Sequence, residues 1–413
     1  MLRVILCVAF LMLSPVARAY SVLTHEAIID TAWNQSIQPL LLKRFPQTTP
    51  QQLIEAHASA YAGCITQDMG YYPLGSRFFS DLVHYVRTGD FVLNLVRDAQ
   101  DVDEYAFALG ALAHYAADVQ GHGVAVNRSV AIEYPHLAKK YGREVTYEDD
   151  PTAHIKVEFS FDVLQVARGN YAPQSYHDFI GFHVTEGVLQ RAVQDTYSFA
   201  LADIFNDMDL ALGTYRRAVS STIPEMTRVA WHLKRDELKG ATPGMTRRRF
   251  VYNLSKASYH KEWGKDYEKP GPGARFLAFL VRILPKVGPL KALAFKAPTA
   301  QTARLFEDSF DRTLDEYRRL LAELGEGQLT LENRDLDTGQ LTRPVEYRLA
   351  DKAYAKLAET LAEKDAGAVD ARLRDNILEF YRDTDLPFAT KRSPKEWKRT
   401  LEALQKLKAQ GSP

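Results

Sequence analysis

Apolar residues recur along most of this chain at spacings of three and four, the period of helices that bury one face. Strand-like alternation is sparse. Thr24 is placed to cap a helix whose apolar face includes Ala27, Ile28 and Thr31. Pro50 to Ala62 reads as a second helix, with Pro50 in its first turn. Cys64 to Gly75 reads as a loop rich in Gly, Tyr and Pro. Phe78 to Thr88 predicts a helix ending at Gly89, and Asp90 to Asp98 another. Asp101 to Val119 is the strongest element. Its Ala, Leu, Tyr and Phe content implies burial on most sides, and Gly121 and Gly123 are expected to stop it. Ala153 to Ala167 and Tyr176 to about Ala218 continue the helical pattern. Together these elements predict an all-α domain over about 20–240.

The pattern changes beyond that point. Pro243, Pro270, Pro272, Pro285, Pro289 and Pro298 punctuate a basic region. Thr302 to about Gly325 is a charged amphipathic helix, and Gln328 to about Thr342 a hairpin or irregular loop. Leu349 to Leu361, Ala366 to Tyr381 and Pro394 to Ala409 are further helices with solvated charge. Residues 241–413 therefore read as a basic, mostly helical C-terminal region.

The amino-terminal pattern is of another kind. Arg3 precedes an apolar run from Val4 to Leu13, Ser14-Pro15 breaks it, and Ala17-Arg18-Ala19 supplies small residues where a signal peptidase reads. Residues 1–19 are therefore expected to be a signal peptide, and the mature chain to start at Tyr20 in the periplasm or outside the cell. Cys64 is then the only cysteine left, so stability in an oxidising compartment must come from packing or metal rather than a disulfide.

Formal net charge is zero, which does not favour a nucleic-acid partner. The charge is unevenly spread: Arg228 to Lys296 holds sixteen Lys or Arg against five Asp or Glu. Within it, 274–296 has five basic residues, no acidic ones, and Phe276, Leu280 and Ile283 among large apolar side chains at helical spacing. Such a segment suits peripheral contact with anionic lipid, or covers the rest of the protein as a basic helix.

Nine of the eleven histidines fall between His25 and His183. Imidazole is the usual nitrogen ligand of zinc, and carboxylates complete such sites. His114, Asp118 and His122 stand at i, i+4 and i+8. On a helix the first two face the same way and can share an ion. A stop at Gly121 is expected to turn His122 toward a second ion. His154 and Glu158 repeat the i, i+4 pairing, His84 follows Asp81 on an aromatic helix, and Asp68 sits in the loop Gln67-Asp68-Met69-Gly70. Burying this many imidazoles and carboxylates without a cation would be costly. His183 and Glu186, at i, i+3, are an alternative to His154 and Glu158. His57 reads as an ordinary helix residue. His177, His232 and His260 are set aside.

The start Tyr20-Ser-Val-Leu-Thr-His25, the loop Asp68-Met-Gly-Tyr-Tyr-Pro73, the segment Leu112-Ala-His114-Tyr-Ala-Ala-Asp118 and the pair His154/Glu158 resemble the zinc-dependent phospholipase C family. That family is related to zinc-dependent single-strand nucleases and to the start of glycosylphosphatidylinositol-specific phospholipase D. The resemblance covers about 20–190. It implies two to three zinc ions in an all-α domain. By motif, one ion falls to Asp68, His84, His114 and Asp118. A second falls to His122, His154 and Glu158. A third falls to His25, a bridging Asp118, and the amine and carbonyl of Tyr20. The family begins with Trp where this chain has Tyr20, and it spaces the bridging Asp further from the next His. His136 is therefore the alternative to His122.

The resemblance also implies hydrolysis of a phosphodiester, phospholipid first, with Asp68 orienting or deprotonating the attacking water. No Gly-x-Ser-x-Gly elbow and no phosphate-cradling Gly-rich loop followed by Lys-Ser/Thr appears. Tyr71, Tyr72 and Phe78 suit either a base-stacking platform or the wall of a lipid site. A single-strand nuclease, another phosphoesterase, or a nonenzymatic zinc-binding envelope protein are the other classes this sequence admits.

Overall fold

The computed structural model describes residues 21–72, 74–168, 170–171, 184–217, 226, 295–364 and 368–410. Helices carry the architecture. They are α1 Val22–Ala32, α2 Gln38–Arg44, α3 Pro50–Gly63, α4 Arg77–Tyr85, α5 Thr88–Asp98 and α6 Val102–Gly121. There follow α7 Asn127–Glu133, α8 Pro135–Tyr141, α9 Pro151–Arg168, α10 Glu186–Tyr197, α11 Leu201–Ile204 and α12 Met208–Arg217. The C-terminal region adds α13 Ala300–Gly325, α14 Arg348–Leu361, α15 Ala371–Phe380 and α16 Pro394–Gln410. Among the described residues the extended structure consists of one antiparallel bridge between Arg334 and Leu341. The protein has an all-α fold with a helical C-terminal extension.

Helix α6 is the central element. Asp101 caps it by accepting from the Glu104 amide at 2.8 Å, and Asp103 and Glu104 place negative charge at the positive end of its dipole. Its small residues let other helices come close. A Cβ on Gly110 would lie 2.1 Å from the Ala60 carbonyl of α3, so only glycine allows this approach. Helices α5 and α13 also pack on α6, and Tyr317 of α13 donates to the Leu109 carbonyl at 2.9 Å. One connected apolar core runs from Val22 to Leu407, so the C-terminal helices share it with α1–α12.

Several local expectations change. Thr24 does not cap α1; the helix begins earlier, after Ser21. Asp162 of α9 takes the capping role from a distance, accepting from the Leu23 amide at 3.1 Å and the Thr24 hydroxyl at 2.7 Å. Gly89 does not end a helix. The break before α5 is made by Arg87 in the left-handed region, φ 50°, and Gly89 sits in the first turn of α5. Gly121 does not stop α6 either. The chain passes through a π-helical turn, His122–Val126, straight into α7.

The signal segment 1–19, Tyr20, the boundary near 240, and His177, His183, His232 and His260 lie outside the described residues. So does all of 274–296 except Phe295 and Lys296. Among the described residues no helix is long and apolar enough to cross a membrane.

Candidate metal centre

Six elements converge on one buried cluster. α1 brings His25, a 3-10 turn over Thr66–Tyr71 brings Asp68, and the last turn of α4 brings His84. α6 brings His114 and Asp118, and α9 brings His154 and Glu158. His122 enters from the π-helical turn. The extra residue in that turn re-aims the side chains that follow while keeping the backbone hydrogen-bonded, a device common at functional sites. All of these side chains are buried.

Backbone and amide groups fix which ring nitrogen faces inward. The Cys64 carbonyl lies 2.9 Å from His114 Nδ1, and the Ser80 carbonyl 2.8 Å from His84 Nδ1, which leaves both Nε2 atoms toward the cluster. His154 is held the other way round, with Nε2 2.9 Å from Asn127 Oδ1 and Nδ1 facing Glu158. His25 stacks on His114 with centroids 4.5 Å apart.

Asp118 is at the focus. Its Oδ1 lies 3.6 Å from His25 Nε2. Its Oδ2 lies 3.1 Å from His114 Nε2, 3.7 Å from His84 Nε2 and 3.9 Å from His122 Nε2. Asp68 Oδ1 is 3.5 Å from His84 Nε2. Two ligands of one tetrahedral zinc, with bonds near 2.1 Å, sit roughly 3.4 Å apart. Most of these separations are near that value and too long for good hydrogen bonds. Three groups have donor atoms within 4.8 Å of one another: His25, His114 and Asp118; Asp68, His84 and His114; and His122, His154 and Glu158. His154 Nδ1 and Glu158 Oε1 are closer, at 2.6 Å, a hydrogen-bond distance that an ion between them would widen.

The electrostatics are those of a site built around positive charge. Burial lowers His84, but the adjacent Asp68 carboxylate, 3.5 Å away, and the charges of Asp118 and Asp337 outweigh that and raise it to about 9. Burial, then the neighbouring imidazoles of His154, His84, His114 and His25, push His122 well below its ordinary value. Burial raises Asp118 despite the opposing pull of His114. Both oxygens of Asp68 and Asp118, and both nitrogens of His122, are buried without a hydrogen-bond partner among the described residues. An uncompensated buried carboxylate costs several kcal/mol, roughly, and a divalent cation offsets several at once. Nitrogen and carboxylate donors, mutually spaced and oriented from behind, fit zinc.

The structure thus gathers His25, Asp68, His84, His114, Asp118, His122, His154 and Glu158. His136, the alternative to His122, is exposed on α8 beside Tyr134 and is not in the cluster. Glu186 is exposed at the start of α10. His57 stacks on Trp33 and meets Asp30 at 3.1 Å, away from the cluster. Tyr71 lies 5.5 Å from His84, but it and Tyr72 are buried rather than displayed as a platform. Sequence reasoning missed Asp337. It lies in the loop after α13, with Oδ1 3.8 Å from His122 Nε2. The turn residues Asp335, Asp337 and Gly339 were a legible signal for a tight loop, but nothing in them pointed to this site.

Fold and site define an all-α domain with a multinuclear His/carboxylate metal centre. Residues 24–206 match the family described as zinc dependent phospholipase C, and that stretch is a zinc-dependent phospholipase C-like domain. No curated protein and no solved structure matches the chain. The family match and the three metal-capable clusters together support a zinc-dependent phosphodiester hydrolase, with a phosphodiester of the phospholipid type as its general substrate class.

Proposed function

We propose that the chain is an exported phospholipase C that cleaves phospholipid head groups, with two to three zinc ions held by Tyr20, His25, Asp68, His84, His114, Asp118, His122, His154 and Glu158. The observation that carries this reading is the position of Asp118, within 3.1–3.9 Å of four imidazoles from four elements. A carboxylate so surrounded is suited to bridge ions. When bound, zinc acidifies water and neutralises charge on phosphoryl oxygens.

The protein's own groups do the remaining work. Asp68 stands at the edge of the cluster, with neither oxygen hydrogen-bonded among the described residues, and is free to orient a water molecule and accept its proton. The Ser80 and Cys64 carbonyls hold the imidazoles of His84 and His114 in one tautomer, so the donors do not reorganise during turnover. Tyr20 is proposed as a ligand through its amine and carbonyl. What supports this is that Ser21, the next residue along, is buried, and that His25 Nε2 lies 3.6 Å from Asp118 Oδ1. The proposed division is a catalytic unit over 20–240 and a C-terminal region over 241–413. The basic segment 274–296 is proposed to dock the enzyme on anionic bilayers.

A substrate panel tests the reading. Zinc-loaded protein is incubated with phosphatidylcholine, phosphatidylethanolamine and phosphatidylinositol vesicles, mononucleotides, and single-stranded DNA. Release of diacylglycerol and a phosphorylated head group is expected. Activity confined to nucleic acid would assign a nuclease, and inertness on every substrate would assign a nonenzymatic zinc protein.

A further inference from the structure

The family match ends at residue 206, yet a carboxylate from beyond it enters the cluster. The segment that carries it is tightly held. The Asn333 carbonyl accepts from the Thr342 amide at 3.0 Å, and the Asp335 amide donates to the Gln340 carbonyl at 2.8 Å, closing a short loop. Asp335 Oδ1 then accepts from the Asp337 amide at 2.9 Å, an Asx turn that presents Asp337 at the tip. The tip presses on α6 and the end of α4. Leu336 donates its amide to the His84 carbonyl at 3.0 Å. Gly339 has φ +72°, and a Cβ there would lie 2.4 Å from the Val119 carbonyl, so both conformation and contact require glycine.

Within this frame the Asp337 side chain has one orientation. Tyr85 and Tyr347 donate to Oδ2 at 2.9 and 2.6 Å. That leaves Oδ1 toward His122 Nε2, at 3.8 Å. His122 is buried with neither ring nitrogen hydrogen-bonded among the described residues, and the gap is too long for a hydrogen bond but close to the ~3.4 Å between two ligands of one zinc. The backbone supports the same place. The Asp337 carbonyl accepts from Asn127 Nδ2 at 3.0 Å, and Asn127 Oδ1 is the group that orients His154. The charges agree too. His122, His154 and Glu158 offer a divalent ion one negative charge, and Asp337 supplies the second.

We propose that Asp337 is a further metal ligand, the fourth protein donor to the ion at His122, His154 and Glu158, supplied by the C-terminal region. The inference rests on reading the cluster as a zinc centre. It means that the family-matched segment is not sufficient for a complete site, and that the C-terminal region is part of the metal centre rather than an appendage.

Asp337→Asn in the full chain is the direct test, because the amide keeps an acceptor for the two tyrosines and loses the anionic donor. The variant should bind one zinc equivalent at least about 10-fold more weakly in a chelator competition. The visible absorption of its cobalt-substituted form should change, which a purely structural role would not cause. Wild-type zinc affinity with an unchanged cobalt spectrum overturns the proposal. Should the variant not fold, anomalous diffraction from zinc-loaded wild type decides. An ion bonded to Asp337 supports the assignment. An ion at His122, His154 and Glu158 with no bond to Asp337 overturns it while leaving the zinc centre intact, whereas no ion anywhere in the cluster removes the zinc reading itself.

Discussion

Asp118 shows how much depends on one side chain. It is fully buried, its two oxygens face different imidazoles, and burial alone already drives it toward the neutral form. In the proposed reading it joins ions that no other residue connects. Asp118→Asn should therefore lose more than one zinc, with activity falling alongside, and elemental analysis would show it; unchanged zinc removes the bridging role. Asn127 acts at one remove. Asn127→Ala leaves His154 without its orienting partner and should weaken zinc affinity or activity by roughly 10–100-fold, measured by chelator competition and turnover, while a variant indistinguishable from wild type would show that His154 is positioned by packing alone. The chain start offers a third test. An extra Ala ahead of Tyr20 turns a free amine of pKa near 8 into an amide with no lone pair to donate. Such a protein should lose one zinc, with its termini checked by intact mass, and full zinc content together with a normal rate would exclude the terminus as a ligand.

At the scale of elements, helix α6 is both core and scaffold. Its glycine and alanine face lets α3 approach, and the same helix carries His114 and Asp118. Gly110→Ala places a methyl group inside the Ala60 carbonyl and should cost about 1–3 kcal/mol through backbone displacement. A lowered denaturation midpoint would report it, and an unchanged midpoint would mean that the helices part freely. This is also where legibility in the sequence ended. The long helices, and the i, i+4 spacing of His114/Asp118 and His154/Glu158, follow from local period and need no tertiary knowledge. The caps and stops were less readable because distant atoms supply them. Asp162 caps α1 from α9, and Arg87 rather than Gly89 makes a break. Gly121 looked like a helix end, but burial against neighbouring elements favours a π-helical turn that keeps the backbone bonded and still turns His122 inward. Asp337 was hidden for the same reason. It belongs to no periodic pattern, and only the docking of its loop on α4 and α6 brings it to His122.

At the scale of the molecule, the C-terminal helices share one apolar core with the family-matched region, so composition alone misleads about their independence. The charge asymmetry of 228–296 adds a separate expectation about surfaces. Replacing Phe276, Leu280 and Ile283 by Ser should reduce co-sedimentation with anionic liposomes while leaving helical content intact by circular dichroism. Equal sedimentation of both proteins would dismiss membrane docking by this segment. The central claim, a zinc-dependent phospholipase, is reached most directly by one titration. Purified mature protein is stripped of metal, zinc is added back stepwise, and diacylglycerol release from phospholipid vesicles is followed at each step. The account predicts no turnover without metal and activity that climbs to a plateau at two to three zinc ions per chain. Lipid hydrolysis that is independent of zinc, or zinc uptake that saturates without any lipid hydrolysis, would contradict it.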